Sequence, residues 1–547
     1  MQRFRADEYK IPPHRQYPLV VRYFNMTAMR NKNLWFPILS FLLQFFLNIH
    51  VKAQDQVTQV DSLYSQILQE QRLLNIVFPK NYNPASSNKY EIVYCLDGIA
   101  DFLTLEWGML QWEGFIPKNM IMVGITNPKP NGVDMRDRDF TPTKTRDNTG
   151  GATSFLSFIK KELIPYINEK YKGSNDGNVL YGGSLAGLFV MYTFLNDPTL
   201  FTSYIAIDPS LWWDDFLLTK TAAAKLDSNK ALHNTLYIAG REGNAYKEMG
   251  VSAVDSVLRR KGPEGLEWTC VAYRNETHYS TNFKGFWDGV KFSYGGFYAS
   301  IGGYPTSRKI AIKPKRGIVL EDVPFKLICY NLMADKYLHF TTDGTEPALS
   351  SPTLAGDETP ISLASDSKII VKSIGVRSQY NKIDSAGFVV GKTLKSIAEP
   401  TKLKQGGLHY AYYEGTWDSL PGFKKDKPVR QGFSEKDFDV NKFATNKNFA
   451  CIMNGYLKID QAGYYILEMG GGNDHSRVYL GNRQVLGDHF IRDEGEMYLL
   501  PLEAGFYPFR IEYFHKKEEA ELVPIYIKPE GIEDFAIPAE MFYSAIR

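Results

Sequence analysis

The sequence predicts a doubly wound, mostly parallel α/β sheet followed by two all-β sandwiches. Three observations carry this. From about Asn75 to Gly296, short β-rich apolar runs end in Gly, Asp, Asn or Pro and alternate with longer stretches of helical spacing, the pattern of a parallel sheet covered by helices. After Gly303 the helical spacing stops, and short alternating runs broken by turn clusters such as Thr342-Asp343-Gly344 take over, as in a sandwich. At 547 residues the chain is also too long for a single core.

The elements follow in order. Leu34–Ile49 is an uncharged apolar run preceded by Arg30 and Lys32 and followed by Val51-Lys52-Ala53, with small residues where a signal peptidase reads. It is short for a membrane span of about 20 residues, so residues 1–53 are expected to be an upstream stretch plus a secretory signal over about 29–53, starting at Met29. The alternative is an N-terminal membrane anchor. No Cys lies near Ala53 to carry lipid. The expected product is secreted or periplasmic, without stable membrane insertion once the signal is removed.

Residues 54–303 should form the α/β domain. Its strand candidates are EIVYCL from Glu91, MIMVGIT from Met120, NVLYGG from Asn178, SYIAIDP from Ser203, LYIAG from Leu236 and EWTCVAY from Glu267. Phe155, Ile159, Leu163 and Ile167 recur every four residues within Ala152–Tyr171 and predict a helix. Residues 304–395 should form a small sandwich and residues 396–547 a second one. The change of pattern suggests that a chain ending near Gly303 folds alone.

Composition excludes other classes. The net charge of +2 supplies no field for nucleic acid or an anionic membrane. Aromatics reach 14%, which fits strand cores better than carbohydrate platforms. Four cysteines invite a disulfide reading, but Cys95 and Cys270 would lie on the third and eighth strands, about four spacings of 4.8 Å apart, beyond disulfide reach. Cys329 and Cys451 fall in different sandwiches. All four are expected to be buried thiols. No zinc-type HExxH, Cys-pair motif or phosphate loop is present, so neither metal nor cofactor is expected.

Chemistry concentrates at Asn178-Val-Leu-Tyr-Gly-Gly-Ser184-Leu-Ala-Gly-Leu-Phe189. An apolar strand running into Gly-Gly-Ser and then a small-residue helix start is a nucleophile elbow, which exposes a serine Oγ at the head of a helix. Ala186 stands where a second Gly is usual. The N–H of Leu185, at the helix N-terminus, would face an oxyanion. A serine needs a base, and His278, on the polar loop after EWTCVAY, is in the right order. The acid should follow the penultimate strand, which nominates Glu242 in Gly240-Arg-Glu-Gly243. Asp208 is the alternative, read as a turn cap before Pro209. Glu276 is too near His278 in sequence. The second oxyanion donor should be the N–H of Ile99, after Asp97-Gly98.

These residues resemble the putative-esterase family of α/β-hydrolases, which includes siderophore, feruloyl and acetyl-xylan esterases. The resemblance covers most of Asn75–Phe297, through Val93-Tyr-Cys-Leu-Asp-Gly98, Arg138-Asp-Phe-Thr-Pro-Thr143, Lys161-Glu-Leu-Ile-Pro165, the Ser184 elbow and Asp208-Pro-Ser-Leu-Trp-Trp213. It implies an α/β-hydrolase fold with Ser184 and His278 as catalytic residues and Glu242 as acid, and it nominates Arg138, Trp212 and Trp213 for a substrate pocket. Residues 310–395 resemble the small sandwich appended to chitobiases, through Phe340-Thr-Thr-Asp-Gly-Thr-Glu-Pro347. Residues 405–530 resemble the protective-antigen-type carbohydrate-binding module, through Gly407–Trp417, Asn454-Gly-Tyr-Leu-Lys458 and Asn473–Gly481. Adhesin members of that family hold calcium with an adjacent Asp pair, which Asn473-Asp474 does not reproduce. Tyr412, Tyr413 and Trp417 read as core before ligand platform.

The expectation is an exported serine ester hydrolase acting through an acyl-enzyme on acetyl or feruloyl esters of polysaccharide, with the sandwiches contacting glycan. A siderophore trilactone is the alternative substrate. A glycan-binding protein with an inert hydrolase domain is the rival of another class.

Overall fold

The computed structural model describes residues 58–546 except 81, 114–116, 118, 229–230, 302–308, 418, 424–426, 435–447, 470–475, 488–494, 517–524 and 531–538. The signal segment expected at 29–53 and Asn473-Asp474 lie outside the described residues.

An eight-stranded sheet organises the first part. Its strands are β1 (Thr58–Ser65), β2 (Glu70–Val77), β3 (Glu91–Leu96), β4 (Met120–Ile125), β5 (Val179–Gly183), β6 (Ser203–Ile207), β7 (Thr235–Arg241) and β8 (Glu267–Tyr273), in spatial order β1-β2-β4-β3-β5-β6-β7-β8. The β1–β2 hairpin and its joint to β4 are antiparallel, and the strands from β4 to β8 run parallel. The parallel strands β3 to β6 are buried along almost their whole length, which is why they read as continuous apolar runs. Alternate residues serve two cores. Ile92, Tyr94 and Leu180 pack under the helical segments 152–171, 185–196, 213–227 and 251–261. Val93, Cys95 and Tyr181 pack on the other face beneath α1 (Ala100–Glu113) and a helix over Ser280–Ser293. Cys95 and Cys270 therefore lie in different layers, and all four cysteines are free.

The expected helix at 152–171 is present with one irregularity, a π turn over Ile159–Leu163. Four apolar residues spaced strictly by four drift around an ordinary helix, because 3.6 residues make a turn. The wider π turn takes up that drift, and Phe155, Ile159, Leu163 and Ile167 are all fully buried.

The two C-terminal units are β-structured but not separate beads. A three-stranded sheet holds Ile312–Lys313, Phe325–Cys329 and Glu358–Ile361. A seven-stranded sheet runs from strands of the first unit (Arg316–Leu320, Ile383–Gly391) into strands of the second (Glu496–Leu502, Gly463–Met469), joined by a parallel pairing of Gly317 with Leu499. The boundary expected at 395/396 is thus crossed by a shared sheet and a shared core containing Leu327, Ile369, Ile466 and Leu499. Tyr412 and Tyr413 are buried, and Trp417 packs edge-on against Phe514.

The α/β part and the first β unit meet at the amino ends of the strands. Glu91, 5% exposed, opens β3 and accepts hydrogen bonds from Tyr380 Oη at 2.6 Å, Gln379 Nε2 at 3.0 Å and Tyr294 Oη. Arg377 stacks 4.0 Å above Tyr294, pairs with Glu91 at 3.4 Å and donates to the Gly177 carbonyl at 2.9 Å. A chain cut near Gly303 would leave this buried carboxylate without Arg377, Gln379 and Tyr380, so independent folding is not expected to be as secure as the change of pattern suggests. Breaking a buried ion pair from one side costs about 3 kcal/mol or more. Arg377→Met is expected to lower unfolding free energy by that order in urea titration, and an unchanged midpoint would refute the structural role of the seam.

Candidate active site

The strands deliver their chemistry at the opposite, carboxyl ends. Ser184 sits between β5 and α2 (Leu185–Asn196) with φ 59° and ψ −121°, a conformation that costs a non-glycine residue about 1–3 kcal/mol. The surroundings enforce it. A Cβ on Gly182 would come within 2.7 Å of the Ala186 backbone, and one on Gly187 within 3.1 Å of Pro209, so the turn tolerates Ala186 but not larger neighbours. The Ser184 N–H donates to the Ile207 carbonyl at 2.9 Å, and its carbonyl accepts the Ser210 N–H at 3.0 Å. Its Oγ lies 3.4 Å from Ser210 Oγ.

His278 follows β8, and its Nδ1 lies 2.7 Å from Oδ2 of Asp208. A proton on Nδ1 pointing at the carboxylate leaves Nε2 as the acceptor. Asp208 is fully buried at the end of β6, with φ 42°. Burial raises its pKa, but hydrogen bonds from His278 and Arg241 outweigh that and hold the carboxyl below its usual range.

The pairing puts Asp208, not the expected Glu242, against His278. Strand β7 extends to Arg241, and the Glu242 N–H still donates to the Tyr273 carbonyl at 3.0 Å. Alternation along the strand turns Arg241 toward Asp208 and sends Glu242 the other way, where it pairs with Arg274 at 3.5 Å with 47% of its side chain exposed. The sequence offered one signal for Asp208: a carboxylate ending the largely apolar SYIAI strand has to find a buried partner.

The loop after β3 lies beside the elbow. Gly98 donates to the Ile125 carbonyl at 2.9 Å, and a Cβ there would stand 2.3 Å from the Gly124 carbonyl carbon, so only glycine fits. Three side chains pin this loop. Asn75 Nδ2 donates to the Gly98 carbonyl at 2.7 Å, Asn127 Nδ2 to Asp97 at 2.6 Å, and Arg136 forks Asp97 with two bonds of 2.7 Å. Arg136 also reaches the Gly183 carbonyl at 3.4 Å, tying the loop to the elbow. Ile99 precedes α1 and Leu185 opens α2, positions whose N–H groups have no intrahelical acceptor.

Ser184, His278 and Ile99 line one cleft of about 940 Å³. Phe102, Leu105, Tyr279 and Phe283 make an apolar wall; Asn75, Thr126, Asn127, Lys129 and Arg136 make a polar one. Among the described residues none beyond Phe283 lines it. The three residues nominated for a pocket are placed elsewhere. Arg138 forks Glu70 at 2.6 and 3.0 Å and reaches Asp139 at 2.8 Å, part of a buried network with Arg72. Trp213 is core, its indole N–H donating to Thr143 Oγ1 at 3.1 Å. Trp212 is 44% exposed and outside the cleft lining. Sequence reading missed Arg136, Asn75 and Phe102, because nothing in local spacing shows that they converge. Among the described residues no cluster of three or more His, Cys, Asp or Glu could hold a metal ion, and no helix is long and apolar enough to cross a membrane.

Behind the apolar wall, Glu106 on α1 is fully buried, and neither carboxylate oxygen has a hydrogen-bond partner. Burial pushes its pKa up to about 8. A carboxyl raised on folding contributes most favourably below its unfolded value, and stability falls as pH climbs through that value toward about 8. The protein is therefore expected to lose stability between pH 5 and 8, and Glu106→Gln to remove that slope, a difference on the order of 3 kcal/mol at pH 7. Parallel melting-temperature curves for the two proteins over this range would refute it.

The family model for putative esterases matches residues 65–286, and that for the PA14 domain matches residues 404–540. The ferri-bacillibactin esterase BesA of Bacillus subtilis is 30% identical over 171 residues, 28% of this chain and 59% of that protein. The siderophore triacetylfusarinine C esterase of Aspergillus fumigatus is 30% identical over 176 residues, 30% of this chain and 60% of that protein. The chain thus spans about three fifths of the length of these curated relatives. Among solved structures, an IroE-like serine hydrolase from Shewanella oneidensis is 31% identical with a TM-score of 0.40, covering 45% of this chain and 82% of that one. Residues 65–286 thus match the putative-esterase family and residues 404–540 the PA14 domain.

Proposed function

We propose that this chain is a serine carboxylic-ester hydrolase working through an acyl-enzyme. The observation that carries the reading is the strained Ser184 turn beside a His278 held at 2.7 Å by a buried carboxylate. Ser184 Oγ attacks the ester carbonyl while His278 Nε2 takes its proton. Asp208 orients the imidazole and stabilises its cation. The N–H groups of Leu185 and Ile99 receive the developing oxyanion. Collapse expels the alcohol, protonated by His278, and a water activated by the same nitrogen then frees the acid.

For substrate, the favoured reading is a compact siderophore-type ester, with an aromatic acyl group against Phe102 and Phe283 and polar groups toward Lys129 and Arg136. Two facts support it: the curated relatives named above are siderophore esterases, and a cleft of about 940 Å³ is of the size that encloses a discrete small ligand. The second reading is an acyl ester of polysaccharide, favoured by the PA14 domain over residues 404–540. The uncharged run Leu34–Ile49 supports export, which N-terminal sequencing of the mature protein would test. A panel of aryl esters, acetylated xylan, feruloyl sugars and a catecholate trilactone separates the substrates. Turnover of the trilactone well above the rest is expected; preference for acetylated xylan reverses the two readings, and inactivity on every ester favours a binding protein with an inert hydrolase domain.

A further inference from the structure

Asp208 receives two donors on one oxygen. His278 Nδ1 lies 2.7 Å and Arg241 Nε 2.6 Å from Oδ2, while Oδ1 is buried without a hydrogen-bond partner. Asp208 is fully buried, and Arg241 arrives from the last residue of β7 with 29% of its side chain exposed. The guanidinium is charged at every relevant pH, so the imidazolium that forms in turnover would share its carboxylate oxygen with a permanent cation. Arg241 is absent from the cleft lining and cannot act by touching substrate there.

We propose that Arg241 is a positioning residue that fixes the Asp208 carboxylate with Oδ2 toward His278 and, by sharing that oxygen, limits how strongly Asp208 favours the imidazolium. The inference rests on reading His278 as the base. Without Arg241, His278 would have sole claim on Oδ2 and lose a neighbouring cation, and both changes favour the protonated ring. The other charged groups nearby have partners of their own. Glu242 pairs with Arg274, Glu276 accepts from Ser280 Oγ at 2.5 Å, and Asp97 is forked by Arg136 across the elbow. Lys129 and Asp134, which line the same cleft, pair with each other at 3.2 Å, and Asp101 lines it as well; two phenols also lie close, Tyr279, whose ring centroid is 5.9 Å from that of His278, and Tyr246, packed at Gly240.

The test is the pH dependence of kcat/KM on a soluble aryl ester, whose acid limb reports the free enzyme's base, measured with the full chain. Arg241→Met is expected to move the acid limb up by about one pH unit, with KM unchanged, so that kcat/KM falls about tenfold at pH values below the limb. Arg241→Gln, which keeps an N–H donor without the charge, should move it in the same direction and serves if the Met variant does not fold. In an Asp208→Asn background, Arg241→Met should shift the limb by less, because only the loss of the neighbouring cation remains. A role in stability alone would lower the melting temperature or the plateau and leave the limb where it was, and a fixed limb in a folded variant overturns the inference. Parental turnover in Ser184→Ala would instead overturn the reading on which it rests.

Discussion

Ser184→Ala is expected to lower kcat/KM for a small aryl ester by at least about 10⁴-fold, and His278→Ala to do nearly the same. The two losses should be far from additive, because nucleophile and base act as one unit and removing either disables both. Binding and the proposed oxyanion donors at Leu185 and Ile99 would remain and leave a residual rate above that in water. Neither change should unfold the chain. Ser184 is held by its backbone bonds to Ile207 and Ser210, and alanine keeps the same Cβ, so the backbone strain at this position does not change. Steady-state rates beside circular dichroism decide the point, and a folded variant with near-parental turnover would remove that residue from the mechanism.

The second large effect concerns the acid. Asp208→Asn is expected to reduce turnover about 10⁴-fold, the scale seen when a buried triad carboxylate is replaced by an amide that can present an N–H to the imidazole and hold the wrong tautomer. Glu242→Gln should change turnover by no more than about twofold, since an exposed carboxylate paired with Arg274 is worth little. Asp208→Asn should also reduce stability. The Asp208 pKa is held below its usual range, so its contribution is present at neutral pH and is lost only as pH falls through the folded value. At neutral pH the amide would therefore leave Arg241 facing a buried neutral group. Kinetics of both variants at pH 7 separate the candidates. A larger loss from Glu242→Gln would return the acid to the loop after β7.

Much of this was legible in the sequence, for identifiable reasons. Parallel strands buried on both faces write themselves as apolar runs, so β3, β4, β5, β6 and β7 were visible, β8 at the edge showed a weaker run, and the order of Ser and His along them placed Ser184 and His278 in one cleft. The error over Glu242 is an error of one residue in strand length. If β7 stopped at Gly240, Glu242 would start a free loop; because the ladder continues through Arg241 to the Glu242 N–H, alternation sends the carboxylate outward. Arg138 failed for another reason. Two arginines stand two apart in Arg136-Asp-Arg138, and only tertiary packing decides that Arg136 enters the cleft while Arg138 joins Glu70 and Asp139. Trp212 and Trp213 divide similarly, one outward and one into the core. The seam at Glu91 was invisible because its partners lie about 200 to 290 residues away.

The most direct test of the central claim is covalent. The full chain should be treated with a fluorophosphonate, which phosphonylates an activated serine and releases fluoride, and the adduct mapped by peptide mass spectrometry. One phosphonyl group per chain is expected, on the peptide containing Ser184, with loss of ester hydrolysis in proportion to labelling and no adduct in Ser184→Ala. An adduct on Ser210 or another residue, or full labelling of Ser184 with hydrolysis intact, would contradict the assignment of Ser184 as the nucleophile.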